Sequence, residues 1–129
     1  MAKRILSFSK GKRIIKSGKY ERRMFVILDG EVEITFDVNN EKVAVAQLGK
    51  GDFFGEVSLF QQIERTANAH ALTDVRVTYI DSPEELETFL TNNPRFAVKM
   101  VRTLTQRIAD TDKMLVGQLC GIKIVKYVW

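Results

Sequence analysis

Residues 31–36 alternate polar and apolar side chains, placing Val32, Ile34 and Phe36 on one face, the period-two pattern of a half-buried strand. Residues 24–28 just before them form an unbroken apolar run, and Asp29-Gly30 between the two is a strong tight-turn dipeptide. Together they predict a β-hairpin. Beyond a polar turn at 37–41, residues 43–48 read as a further strand, stopped by Gly49-Lys50-Gly51-Asp52 with its two glycines. Residues 65–72 and 75–80, separated by Thr73-Asp74, add two more candidate strands. Short strands at even spacing predict an antiparallel barrel or sandwich, with a jelly-roll-like β-roll as the preferred form.

The period changes after Asp81. Ser82-Pro83-Glu84-Glu85 carries the signals of a helix start: a capping serine, a proline in the first turn and a glutamate that closes a capping box. That helix should end near Asn92. Asn93-Pro94 opens a longer one, to about Gln118, with Phe96, Met100, Val101, Leu104, Ile108, Leu115 and Leu119 spaced by threes and fours into an apolar stripe. The fold class expected is therefore α+β, mainly β: an antiparallel β-roll at about 7–81, helices at about 82–118 and a short tail at 119–129. No linker, repeat or low-complexity tract separates these parts, so residues 1–129 read as one domain.

Composition narrows the function classes. With 45% hydrophobic and 28% charged residues the chain can build a core, and 20 Lys and Arg against 16 Asp and Glu leave a formal charge of +4 that mildly favours anionic partners. The basic residues are scattered, so a nucleic-acid patch is not demanded. A single cysteine, Cys120, rules out an intrachain disulfide and suits a reducing compartment; with no apolar run of signal-peptide or membrane-span length, the expected location is the cytoplasm. The only histidine, His70, falls in a predicted strand with no Ser, Cys or carboxylate at a diagnostic spacing. One imidazole builds no metal cage, so neither a catalytic group nor a metal site is expected, and the chain reads as non-enzymatic.

The informative stretch is Gly51-Asp52-Phe53-Phe54-Gly55-Glu56-Val57-Ser58-Leu59-Phe60, followed by Gln61 to Glu64 and Arg65-Thr66-Ala67-Asn68. Gly55 permits a sharp turn and a close backbone approach, and residues 56–60 can form a short helix whose first amides face an anion. Arg65, nine residues beyond Glu56, could bring a planar fork of donors to the same phosphate. Glu56 cannot bind phosphate, but it can accept a hydrogen bond from a sugar hydroxyl. Phosphate with ribose means a nucleotide.

Phe54-Gly55-Glu56-Val57-Ser58-Leu59 and Arg65-Thr66-Ala67-Asn68 resemble the phosphate-binding cassette of the cyclic-nucleotide-binding domain family. The family's glycine-punctuated β-roll is echoed by Phe8-Ser9-Lys10-Gly11, Ile15-Lys16-Ser17-Gly18, Asp29-Gly30-Glu31-Val32 and Leu48-Gly49-Lys50-Gly51-Asp52-Phe53. The resemblance implies a sensor of cyclic AMP or cyclic GMP, without cofactor or metal, whose ligand-binding residues are Phe54, Gly55, Glu56, Val57, Ser58, Arg65, Thr66 and Ala67. It assigns the ribose 2′-hydroxyl to Glu56, the cyclic phosphate to Arg65 and further phosphate contacts to the amides of Val57 and Ser58. Thr66 follows the arginine as in cyclic-nucleotide-gated channels and cGMP-dependent kinase, where its hydroxyl could touch a guanine amino group. Thr66 also suits a β-strand or a phosphate contact, so both nucleotides stay open.

The same resemblance makes the long helix the output element, with Thr103, Thr105, Gln106 and Arg107 as candidates to cap the base and an effector protein as its partner. Ile108, Thr111, Leu115 and Gln118 form a weak heptad seam that offers a route to a homodimer. Residues 121–129 read as one apolar strand or docking tail, too short for a DNA-reading unit, so direct DNA binding is not expected. The alternatives are a degenerate β-roll serving as an interaction or oligomerisation module, and a cyclic di-GMP binder, for which the extra arginines are missing.

Overall fold

The computed structural model describes residues 4–15, 22–61 and 67–119, the side chains of Val38 and of residues 111–119 excepted. In chain order the strands are β1 (Ile5–Phe8), β2 (Arg13–Ile15), β3 (Met24–Asp29), β4 (Val32–Val38), β5 (Glu41–Leu48), β6 (Phe53–Phe54), β7 (Asn68–Ala71) and β8 (Val75–Ile80). The helix α1 (Glu56–Phe60) lies between β6 and β7, and α2 (Pro83–Asn92) and α3 (Pro94–Leu119) follow β8. The described residues fall into two compact units, one up to Leu86 that holds both sheets and α1, the other from Glu87 with most of α2 and all of α3.

The strands form two four-stranded antiparallel sheets, ordered β1-β8-β3-β6 and β2-β7-β4-β5. This is the mainly antiparallel β-roll that the spacing of strands predicts. Met24, Phe25, Ile27, Phe53, Phe54, Val75 and Val77 of the first sheet and Val32 and Ile34 of the second are fully buried. Each such side chain contributes about 1.5–3 kcal/mol on leaving water.

The hairpin predicted across Asp29-Gly30 does not form. β3 pairs with β8 and β6, and β4 with β5 and β7, so the link at Gly30 passes from one sheet to the other. A two-residue type I′ hairpin needs positive φ at both central residues, and here Gly30 alone has it, at +93°. Gly30 is instead packed under the link between β7 and β8: Glu31 N–H donates to Thr73 Oγ1 at 3.0 Å, and Leu72 N–H donates to the Glu31 carbonyl at 2.9 Å. The apolar run of β3 already marks a central strand with both edges taken. The I′ geometry is found at the polar turn instead, where Asn39 and Asn40 have φ of 51° and 64° and Val38 faces Glu41 across the β4–β5 hairpin.

β1, β2 and β6 are strands of two to four residues, too short to show a period. The helix start at Ser82 is as the sequence indicates: Ser82 Oγ accepts from Glu85 N–H at 3.1 Å, while the Glu85 carboxylate reaches back to Asp81 N–H at 3.0 Å. Arg4 joins this corner by ion pairs to Asp81 and Glu85, and Arg23 pairs with Asp81 at 3.1 Å while lying over the Tyr79 ring at 4.4 Å. In the second unit Phe89 meets Phe96 edge-on at 5.2 Å, and Met100 is buried. Val98, Val101 and Ile108 are more than half exposed, so Val101 and Ile108 do not share the buried face of Met100 as one stripe would have them. The side chains of Thr111, Leu115 and Gln118, together with Cys120 and the tail, lie outside the described residues. Among the described residues no helix is long and apolar enough to cross a membrane, and no group of three or more His, Cys, Asp or Glu is placed to hold a metal ion.

Candidate functional site

The cassette starts on a rigid support. β6 pairs with β3 through Phe25–Phe54 and Val26–Phe53, and backbone bonds from Gly51 N–H to the Ile27 carbonyl, 2.8 Å, and from Ile27 N–H to the Asp52 carbonyl, 2.9 Å, extend the ladder. Asp52 closes the preceding turn by accepting Gly49 N–H at 2.8 Å. Phe54 is 1% exposed and stacks on Phe25 with ring centroids 5.2 Å apart, so its side chain holds the strand in place.

Gly55 then takes the left-handed conformation, φ 88° and ψ 6°, which a residue with a Cβ adopts only at a cost of about 1–2 kcal/mol. This reverses the chain into α1. Leu59, fully buried, fastens the helix to the core, and Gln61 ends it in an extended conformation while its N–H donates to the Val57 carbonyl at 2.7 Å. Phe60 is exposed and Val57 half-buried. Glu56 and Ser58 are each only 5% exposed. A buried carboxylate is expensive unless its oxygens are hydrogen-bonded, so Glu56 needs polar partners where it stands.

Arg65 and Thr66 lie in the segment 62–66, outside the described residues. The structure therefore brings Phe54, Gly55, Glu56, Val57 and Ser58 together in one turn and one short helix, and it resumes at Ala67 and Asn68, both buried. β7 pairs with β4 in the register Asn68–Thr35, Ala69–Ile34, His70–Glu33 and Ala71–Val32. Asn68 Nδ2 donates to Asp37 Oδ2 at 3.1 Å, tying the end of the cassette to β4. Sequence patterning missed Asp37 as an anchor because it read as the start of the polar turn at 37–41, whereas β4 runs on to Val38, and it missed Thr35 as a buried residue because alternation assigns the polar residues of β4 to water. His70 is the half-buried strand residue its position suggests, with Nε2 3.4 Å from Lys42 Nζ. Burial pushes its pKa down, as do the Lys42 and Arg13 charges, against weaker opposition from Glu33 and Asp37.

The family model for the cyclic nucleotide-binding domain matches residues 5–93, a span that contains the cassette and both sheets. The chain belongs to the cyclic nucleotide-binding domain family. It is 26% identical over 111 residues to a CRP-like cAMP-activated global transcriptional regulator of Mycobacterium tuberculosis, covering 85% of this chain and 49% of that protein. It is 36% identical over 76 residues to the type II regulatory subunit of cAMP-dependent protein kinase of Drosophila melanogaster, covering 58% of this chain and 20% of the subunit. The catabolite activator protein of Thermus thermophilus superposes with a TM-score of 0.74 at 24% identity, over 88% of this chain and 53% of that one, and so shares the fold. The chain thus spans about half the length of the bacterial regulators it matches.

Proposed function

We propose that this chain is a non-catalytic sensor domain that binds a cyclic mononucleotide, cAMP or cGMP, in the cassette from Phe54 to Ala67. The observation that carries the reading is Glu56: a carboxylate 5% exposed, immediately after a left-handed glycine, on a helix fastened by Leu59. A buried acceptor in that position suits a ribose hydroxyl as its donor. Beside it the amides of Val57 and Ser58 serve the cyclic phosphate, Arg65 provides the charge-assisted fork, and Thr66 is the position that can favour guanine. Gly55 admits the ligand close to the backbone, and Phe54 and Ala67 anchor the two ends. The relatives named for cAMP support this ligand class.

Residues 1–129 act as one regulatory domain in the cytoplasm, and α3 passes the signal to an effector. The exposed Val98, Val101 and Ile108 support a contact surface on α3, including one with a second copy. Titration calorimetry with cAMP, cGMP and cyclic di-GMP on the native chain and on Arg65→Ala tests the proposal. One of the two mononucleotides should bind, and Arg65→Ala should lose about 1.5–3 kcal/mol, or roughly tenfold or more in affinity. No binding by either would leave an interaction module, binding by cyclic di-GMP alone would change the ligand, and unchanged affinity in Arg65→Ala would overturn the pose.

A further inference from the structure

Thr35 lies in the middle of β4, 3% exposed, and its Oγ1 is buried without a hydrogen-bond partner. Buried hydroxyls in folded proteins almost always have one, so an orphan needs a reason. Its surroundings supply one. Across the β4–β7 ladder Thr35 stands opposite Asn68, and directly opposed side chains have Cβ atoms about 4.5–5.5 Å apart, within reach of a hydrogen bond. Asn68 is itself buried, closes the cassette, and gives its Nδ2 to Asp37 at 3.1 Å. On the other side of β4 the ladder is irregular: Ile34 faces Ala46 and Thr35 faces Ala44, leaving Val45 as a bulge. A bulge beside Thr35 gives this part of the sheet room to adjust.

We infer that Thr35 is a positioning residue for nucleotide binding: when a nucleotide is bound, the Asn68 side chain, still held on Asp37, comes within hydrogen-bond distance of Thr35, and the Thr35 hydroxyl gains its partner. This rests on the nucleotide-binding reading of the cassette. It gives the protein a hydrogen bond that counts only on binding, so it strengthens affinity at the expense of the unliganded fold. Stability and affinity should then move in opposite directions at this one position.

Thr35→Val keeps the shape and removes the hydroxyl. The free protein should melt higher by about 4 °C, because an unsatisfied buried group has gone, while the affinity for whichever of cAMP or cGMP the native chain binds falls about 3- to 10-fold. Thr35→Ser keeps the hydroxyl and loses a methyl group, so it should melt lower than native yet bind within about twofold of it. In an Asn68→Ala background Thr35→Val should leave affinity unchanged, since the partner is missing. A Thr35→Val that melts lower or fails to fold overturns the inference, as does one that binds like the native chain. If the native chain binds neither nucleotide, the failure lies in the ligand reading; if it binds and Thr35→Val binds equally well, the failure lies here alone.

Discussion

Replacing Gly30 with alanine tests how the two sheets are joined, and Gly11 provides its own control. Both glycines have positive φ, +93° at Gly30 and +87° at Gly11, so a Cβ imposes a similar backbone strain of about 1–2 kcal/mol at each. Their surroundings differ. A Cβ on Gly11 meets nothing within 4 Å, whereas one on Gly30 would lie 2.4 Å from the Asp74 carbonyl oxygen, 2.9 Å from Thr73 Oγ1 and 2.9 Å from Val75 Cγ2. The nearest obstacle is backbone, and Val75 is a buried residue of β8 paired with Phe8, so the clash is relieved only by moving the link between β7 and β8. That movement pulls on the bonds of Glu31 to Thr73 and Leu72. Overpacking of this kind adds about 1–3 kcal/mol, giving roughly 2–5 kcal/mol for Gly30→Ala against 1–2 for Gly11→Ala. Urea denaturation followed by circular dichroism measures both. Equal losses, within about 0.5 kcal/mol, would refute the claim that packing under the β7–β8 link, rather than turn conformation, makes glycine necessary at position 30.

Three further outcomes follow from the structure. Glu56→Gln should weaken cyclic-nucleotide binding less than Arg65→Ala, and its effect should shrink for a 2′-deoxy cyclic nucleotide; an undiminished effect in calorimetry would remove Glu56 from the ribose. Ser82→Ala deletes the oxygen that accepts Glu85 N–H and should cost about 1 kcal/mol in urea denaturation, where no loss would show the cap to be idle. His70 has its pKa lowered in the fold, so the unfolded chain takes up the proton first: its contribution to stability is complete above about pH 6.5 and declines as the pH falls below that value. Thermal melts at about pH 7.5 and about pH 5 should therefore differ less for His70→Gln than for the native chain, and an equal or larger difference would contradict the sign.

The parts of the fold that were legible in the sequence are those where one local rule decides. Ser82-Pro83-Glu84-Glu85 begins a helix because capping chemistry is satisfied within four residues, and α1 starts at Glu56 because Gly55 alone can make the turn. The Asp29-Gly30 dipeptide misleads because turn chemistry reports that the chain reverses, not which strand it then pairs with. That choice is made by distant residues, Phe53 and Phe54 on one side of β3 and residues 76–80 on the other. Thr35 fails for a similar reason: the alternation of Val32, Ile34 and Phe36 puts it on the face opposite theirs, yet it is 3% exposed. Of the candidate site, the run from Phe54 to Ser58 was readable because it is contiguous, while the Asn68–Asp37 tie, between residues 31 apart, has no local signature.

The crossover at Gly30 also decides what supports the two ends of the candidate cassette. β6, which leads into the cassette, is hydrogen-bonded to β3 in the first sheet; β7, which leaves it, is bonded to β4 and β2 in the second. Had 24–36 formed a hairpin, β3 and β4 would share one sheet, and both ends of the cassette would rest on it. Instead the segment from Gly55 to Ala67 bridges two sheets, held at one end by the Phe25–Phe54 stack and at the other by Asn68 on Asp37. On the proposed reading, a ligand held by Glu56 near the first end and by Arg65 near the second would tie together two separately supported anchors.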